Sequence, residues 1–396
     1  MQEAIPVLMY HSVAPTIENW AFRHLSLDPA IFEDHLATLA HAGYRAVSLQ
    51  DLYNYVSGKG RLPSKSLVLT FDDGYLDNWV FAYPILKKHG FSATIFVSTD
   101  FIDMRGLVRP TLEDVWRGGC GREALTYAGF LSVPEITAML ASGVIDIQAH
   151  CKTHTWYFTS GEIVDFHHPG DSYPWLAWNA RPERKSLYLA EDQSRYVPFG
   201  SPVYTHEKSL TARRYFSDSM TQEHLVRWVS ANGDIRFFDK PDWKEHLRRE
   251  AERVPPGTGG RYEDDRGRLL RLREEIGGSK RDLEDMLNKR VDFLCWPGGA
   301  YDETSVEIAR DAGFLAWTLA SRLAGARRNV PGEDPGWIRR LPVGPWWHWR
   351  GRKRAAVDGE FLRLLIEAYK AAPFSQFALK RYKLGKLLSS YVSRDW

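Results

Sequence analysis

Two carboxylates stand side by side in Leu67-Val68-Leu69-Thr70-Phe71-Asp72-Asp73-Gly74, directly after an apolar run that reads as a strand. Adjacent acids repel and are costly to desolvate, so a fold gathers them at a strand end where a cation or a proton-transfer task offsets that cost. Successive strand side chains face opposite ways, and both acids reach one site only where the chain turns, which Gly74 permits. A second apolar run, 144–149, leads into His150-Cys151-Lys152-Thr153-His154, two imidazoles four residues apart. Two histidines and a carboxylate offer a first-row divalent cation three ligands and leave one position for water. A third run, 291–294, is followed by Cys295-Trp296-Pro297-Gly298-Gly299, a tight turn whose backbone N–H groups suit a developing oxyanion.

The elements that must bring these groups together are short strands alternating with helices. Strands are expected at 7–10, 46–49, 67–71, 93–97, 144–149, 291–294, 316–319 and 338–343, with helices at 29–42, from 51, at 78–89, 133–142, from 279 and at 304–312. Such alternation means parallel β/α units, and a long series of them suggests a barrel whose active face is formed by the C-terminal strand ends. On that face Asp72, Asp73, His150 and His154 converge despite their distance along the chain.

The alternation breaks after residue 155. The stretch 156–260 is rich in aromatics and proline with little periodicity of either kind, and reads as an insertion. Its aromatics suit either a wall of a saccharide cleft or a small core of their own. Residues 1–155 and 261–350 are the two parts of the barrel, and 351–396 is a helical tail. That tail interleaves Lys380, Arg381, Lys383 and Lys386 with leucines. Such a helix packs on the barrel or lies on an anionic membrane surface.

Composition removes several alternatives. With 44% hydrophobic residues among 396, the chain buries a full core. Its formal charge of +2 gives nucleic acid no electrostatic hold. Cys120, Cys151 and Cys295 form neither a disulfide framework nor a metal knuckle. No apolar run is long enough to span a bilayer, and the first residues lack a basic leader, so the expected location is cytoplasmic or peripheral on the inner membrane.

Thr70-Phe71-Asp72-Asp73-Gly74, His150-Cys151-Lys152-Thr153-His154 and Trp296-Pro297-Gly298-Gly299, in this order, resemble the motifs of the polysaccharide deacetylase family, the NodB-homology group or carbohydrate esterase family four. Ile5-Pro6-Val7-Leu8-Met9-Tyr10-His11-Ser12-Val13 and the Ser279-Lys280 helix point to the branch acting on polyglucosamine. The resemblance implies an α/β fold, a deformed (β/α)7-type barrel, holding one divalent ion, zinc first, with cobalt, nickel or iron as alternatives. It implies that Asp73, His150 and His154 bind the metal, that Asp72 is the general base, and that Gly298, with Trp296 and Pro297, serves the oxyanion or substrate.

The chain departs from the family pattern twice. The late Leu-x-His motif that supplies the general acid is missing after residue 300, whereas Leu8-Met9-Tyr10-His11 presents a similar motif at the end of the first strand. His11 is therefore the expected acid and His348 its runner-up. The arginine that many relatives carry before the third motif's proline is absent, and Arg339 or Arg340 is expected to reach Asp72 from another strand. The implied activity is metal-dependent removal of N-acetyl groups from amino sugars in a cell-surface polysaccharide or lipopolysaccharide-type glycan. The alternatives are a glycan-binding protein that has lost turnover, and a hydrolase of another amide or acetyl ester.

Overall fold

The computed structural model describes residues 3–17, 20–254, 260–319, 328–349 and 352–392, with the side chains of 348–356 and 387–392 outside the described set. The His348 side chain expected as runner-up acid thus lies outside it.

Eight short strands form one curled path: β1 Val7–Tyr10, β2 Ser66–Phe71, β3 Ala93–Val97, β4 Ile145–Ala149, β5 Phe293–Leu294, β6 Ala316–Thr318, β7 Trp337–Ile338 and β8 Leu341–Pro342. Their spatial order is β7-β6-β5-β4-β3-β2-β1-β8, and every neighbouring pair is parallel. A further short strand, Arg45–Ala46, pairs with the start of β2. Parallel sheets are covered on both faces, which is why all six residues of β2 are buried and its Leu67–Leu69 stretch is apolar without alternation.

The 338–343 run, read as one strand, is two. Trp337–Ile338 pairs with β6 at one end of the path and Leu341–Pro342 pairs with β1 at the other. The ends of the sheet are therefore joined by Arg339 and Arg340, and counting this run once gives the seven β/α units of the expected barrel. The strand expected at 46–49 also ends early. Ser48 accepts a hydrogen bond from the Asp51 N–H while Asp51 accepts from the Ser48 N–H, and this reciprocal cap starts the helix at Leu49.

The insertion is more regular than its sequence suggests. Strand Trp156–Phe166 pairs antiparallel with Pro202–Lys208, and register shifts between Phe158, Ile163 and Asp165 break the two-residue alternation that would have revealed the hairpin. Between them the helix Pro174–Ala180 buries Trp175 and Trp178. In the tail, helix Gly359–Tyr369 packs on Pro29–His41 and carries Ser375–Val392 on its other side. Contact at Gly359 is so close that a Cβ would meet the Asp34 carbonyl oxygen at 2.6 Å. Lys386 pairs with Asp358 at 2.9 Å, and Lys383 lies over the Phe361 ring, so part of the tail's positive charge faces the protein.

Candidate active site

Because the sheet is parallel, β1, β2, β4 and β5 end on the same side of the barrel, and their following residues face one cleft of about 880 Å³, near the top of the ~300–1,000 Å³ range for ligand pockets. At the end of β2 the chain turns through two left-handed residues, Asp73 (φ 75°) and Gly74 (φ 73°). That turn lets both acids address the cleft. Gly74 has no alternative there, since a Cβ would lie 2.9 Å from Val97 Cγ1.

Asp73 Oδ1 lies 3.1 Å from His150 Nε2 and 3.2 Å from His154 Nε2. The His150 Nδ1–H donates to the Cys295 carbonyl at 2.9 Å, which fixes the ring orientation and turns Nε2 toward Asp73, where it would serve as a ligand nitrogen to a bound cation. All three donor atoms lie within 4.8 Å of one another. One carboxylate oxygen and two imidazole nitrogens with an open side toward a cleft make a donor set that fits zinc or a similar first-row ion. Burial alone would raise the Asp73 pKa, but His154 and His150 outweigh it and hold the carboxyl well below its ordinary range.

Asp72 is buried and paired. Arg340 donates to both its oxygens, Nη1 to Oδ1 at 2.6 Å and the second nitrogen to Oδ2 at 2.8 Å, and also to Cys295 Sγ at 3.0 Å. Burial pushes the Asp72 carboxyl up, and the guanidinium more than compensates, so the group stays below the usual carboxylate range. Of the two arginines considered, Arg340 is the one that meets Asp72. Arg339 turns the other way, over the Tyr369 ring at 5.1 Å. His11, at the end of β1, brings Nε2 to 3.8 Å from Asp72 Oδ2. Its segment is fixed from behind: Asn78 donates to the His11 carbonyl, while Asp77 accepts from the Val13 N–H and the Ser12 hydroxyl.

Two of the three residues expected from the third turn, Trp296 and Gly298, face the cleft. Trp296 is almost fully buried and its N–H is committed to Thr318 Oγ1 at 3.3 Å, while Pro297 has no N–H and does not reach the cleft lining. Trp296 and Gly298 (φ 55°) both line the cleft, and the Gly298 carbonyl accepts from Lys208 of the insertion. The insertion also contributes Trp156, Trp178 and Tyr188 to the cleft wall. Sequence reasoning missed Cys295 as a neighbour of Asp72 and Lys208 as a partner of Gly298; neither carries a local signal. His167 and His168 stay within the insertion, where His167 is engaged by Asp171 at 2.6 Å.

Known proteins are similar to this chain in sequence or fold. The chain is 36% identical over 93 residues to the Bacillus subtilis (strain 168) protein YxkH, a match spanning 24% of this chain and 31% of the relative's length. A solved de-N-acetylase from Aggregatibacter actinomycetemcomitans has the same fold, with a TM-score of 0.50 at 18% identity over 86% of this chain and 94% of that one. IcaB from Ammonifex degensii aligns over 87% of this chain and 93% of its own, at 19% identity and a TM-score of 0.47. The polysaccharide deacetylase family profile matches residues 59–175, from ahead of the paired aspartates through both histidines and into the hairpin.

Proposed function

We propose that the protein is a metal-dependent deacetylase that hydrolyses N-acetyl groups of amino sugars in a cell-surface glycan. The observation that carries this reading is the placement of a complete hydrolytic set around one opening: the Asp73, His150 and His154 triangle, the Asp72 to Arg340 pair and His11. Asp73, His150 and His154 would hold the cation, which when bound supplies a Lewis acid that polarises the acetyl carbonyl and acidifies water.

The remaining work belongs to the chain. Asp72, kept ionised by Arg340, accepts the proton of the attacking water as general base. Its carboxylate keeps a fixed orientation because both oxygens are held by one planar fork. His11 returns a proton to the departing amine nitrogen. Burial lowers the proton affinity of the His11 imidazole against the pull of Asp72 and Asp73, and a weakly held proton is the more readily delivered one. The Gly298 backbone and the aromatic wall from the insertion position the sugar. The Asp72 to Arg340 pair also weighs against a binding protein that has lost turnover, since the arginine missing from the third motif is replaced in space.

The test is acetate release from an N-acetylglucosamine oligomer. Chelation should abolish it, zinc or cobalt should restore it, and Asp73→Ala should prevent both metal uptake and restoration. Activity insensitive to chelation, or intact in Asp73→Ala, refutes the reading.

A further inference from the structure

The loop that carries His154 is under conformational strain. Cys151 (φ 59°) and His154 (φ 43°) are both left-handed without being glycine, a conformation that persists only where surroundings over-determine it. The surroundings that do so come largely from the insertion. Lys185, on the short helix Pro182–Leu187, is 2% exposed, and its ammonium donates to the Thr153 carbonyl at 3.0 Å and to Asp100 Oδ2 at 2.9 Å. It thereby ties the segment before His154 to the loop that follows β3. On the opposite side of the same residue, the Thr153 N–H donates to Glu275 Oε2 at 3.0 Å and its hydroxyl to Oε1. Asn179, also from the insertion, takes the Thr155 hydroxyl at 2.8 Å and donates to the Trp156 carbonyl at 2.8 Å. His154 is thus gripped at 153, 155 and 156. The Phe101 and His154 rings lie nearly perpendicular at 6.4 Å between centroids, and the Lys185 ammonium is 5.7 Å from the Phe101 centroid.

We infer that Lys185 is a positioning residue for the metal-binding loop, with Asn179 as its helper, so that the insertion is a working part of the cation site and not only a wall of the cleft. This rests on the metal reading above. A buried ammonium is retained where its partners need it, and here the partners are one carboxylate and the backbone beside a ligand. Lys185 touches neither the ion nor the substrate. Its effect is to hold His154 Nε2 at 3.2 Å from Asp73 Oδ1.

The experiment measures zinc affinity of the full chain by competition with a chromophoric chelator, and coordination geometry from the visible spectrum of the cobalt-loaded protein. Outer partners of metal ligands typically change affinity about 10–100-fold, and Lys185, one link further out, should fall near the lower end: Lys185→Met binds zinc about tenfold more weakly. It should also shift the cobalt spectrum, and Lys185→Arg should recover part of both losses. Arg184→Ala, on the same short helix but paired outward with Glu191, should match the wild type. Circular dichroism checks that each variant folds, and Asn179→Ala supplies an independent reading in the same direction should Lys185→Met fail to fold. Zinc affinity and cobalt spectrum unchanged in folded Lys185→Met or Asn179→Ala overturn the inference and leave the metal reading standing. A wild-type chain that takes up no zinc or cobalt overturns both.

Discussion

Replacing Arg340 by methionine removes one partner of a buried ion pair and leaves the other charged. Their side chains are 8% and 4% exposed, so solvent does little to screen the loss. Two charge-assisted bonds at 2.6 and 2.8 Å, at ~1.5–3 kcal/mol each, sum to ~3–6 kcal/mol. That brackets the ~3–5 kcal/mol typical when a buried pair is broken from one side. Asp72→Asn should be costly for the same reason, because it strands the guanidinium. The double variant strands neither charge, so its loss should fall short of the two single losses combined by at least ~2 kcal/mol, toward the upper part of the range for contacting residues. Urea unfolding of the metal-free chain at pH 7 measures this cycle without contributions from metal binding. In acetate release, Asp72→Asn should lose about 10²–10⁴-fold, the usual contribution of a general base. Arg340→Lys should lie between wild type and Arg340→Met, since a single ammonium does not span both oxygens. A coupling below ~0.5 kcal/mol, the level seen for independent sites, would refute the claim that this pair holds the base.

Other outcomes follow from the same geometry. If His11 protonates the leaving nitrogen, His11→Gln should cut amide hydrolysis by about 10²–10⁴-fold but aryl acetate hydrolysis by far less, because a phenolate leaves unaided; equal losses on both substrates would contradict the assignment. Burial pushes the Asp77 carboxyl up to about 7, whereas an unfolded aspartate sits near ~3.9. The unfolded chain therefore releases this proton first as pH rises. The stability linked to Asp77 is fully present below pH ~4, is lost progressively up to about 7, and amounts to at most ~4 kcal/mol. Urea unfolding across that window should show the wild type losing stability relative to Asp77→Asn, and a pH-independent difference would count against it. Phe374, just before the tail helix, and Phe377 and Leu384 on it are 86%, 66% and 51% exposed, beside exposed Lys380 and Arg381. Co-sedimentation should show binding to anionic vesicles that weakens at least tenfold in Phe377→Ser with Lys380→Glu and Arg381→Glu, whereas indifference to lipid charge would exclude an electrostatic membrane contact.

What was legible in the sequence is what depends on neighbours along the chain. Strand Ala93–Val97 and the burial of Ser66–Phe71 follow from mostly apolar runs, and the turn at Asp73 and Gly74 follows from a glycine behind two acids. The convergence of β2 with β4 needed only the rule that parallel strands end on one side. The boundaries that failed did so where local signals compete: Ser48 and Asp51 form a cap that outweighs the apolar run before them. The hairpin of the insertion escaped because its register shifts erase the period that betrays a strand.

The split of the 338–343 run shows why the rest was hidden. A continuous strand there would point successive side chains to opposite faces and extend one edge of the sheet. Dividing it between β7 and β8 makes Arg339 and Arg340 the seam that closes the barrel, and a seam residue is directed by closure and not by alternation. Arg340 then enters the interior 268 positions from Asp72 and supplies, from the seam between β7 and β8, the charge that the third motif lacks. Lys185 follows the same logic from the insertion, reaching Asp100 across 85 positions. Contacts at such separations leave no periodic trace, because the chain pays loop-closure entropy for them only once the fold exists. Two cations, Arg340 beside Asp72 and Lys185 beside the His154 loop, are thus products of topology, and the acids and imidazoles they adjoin are the part that spacing could reveal.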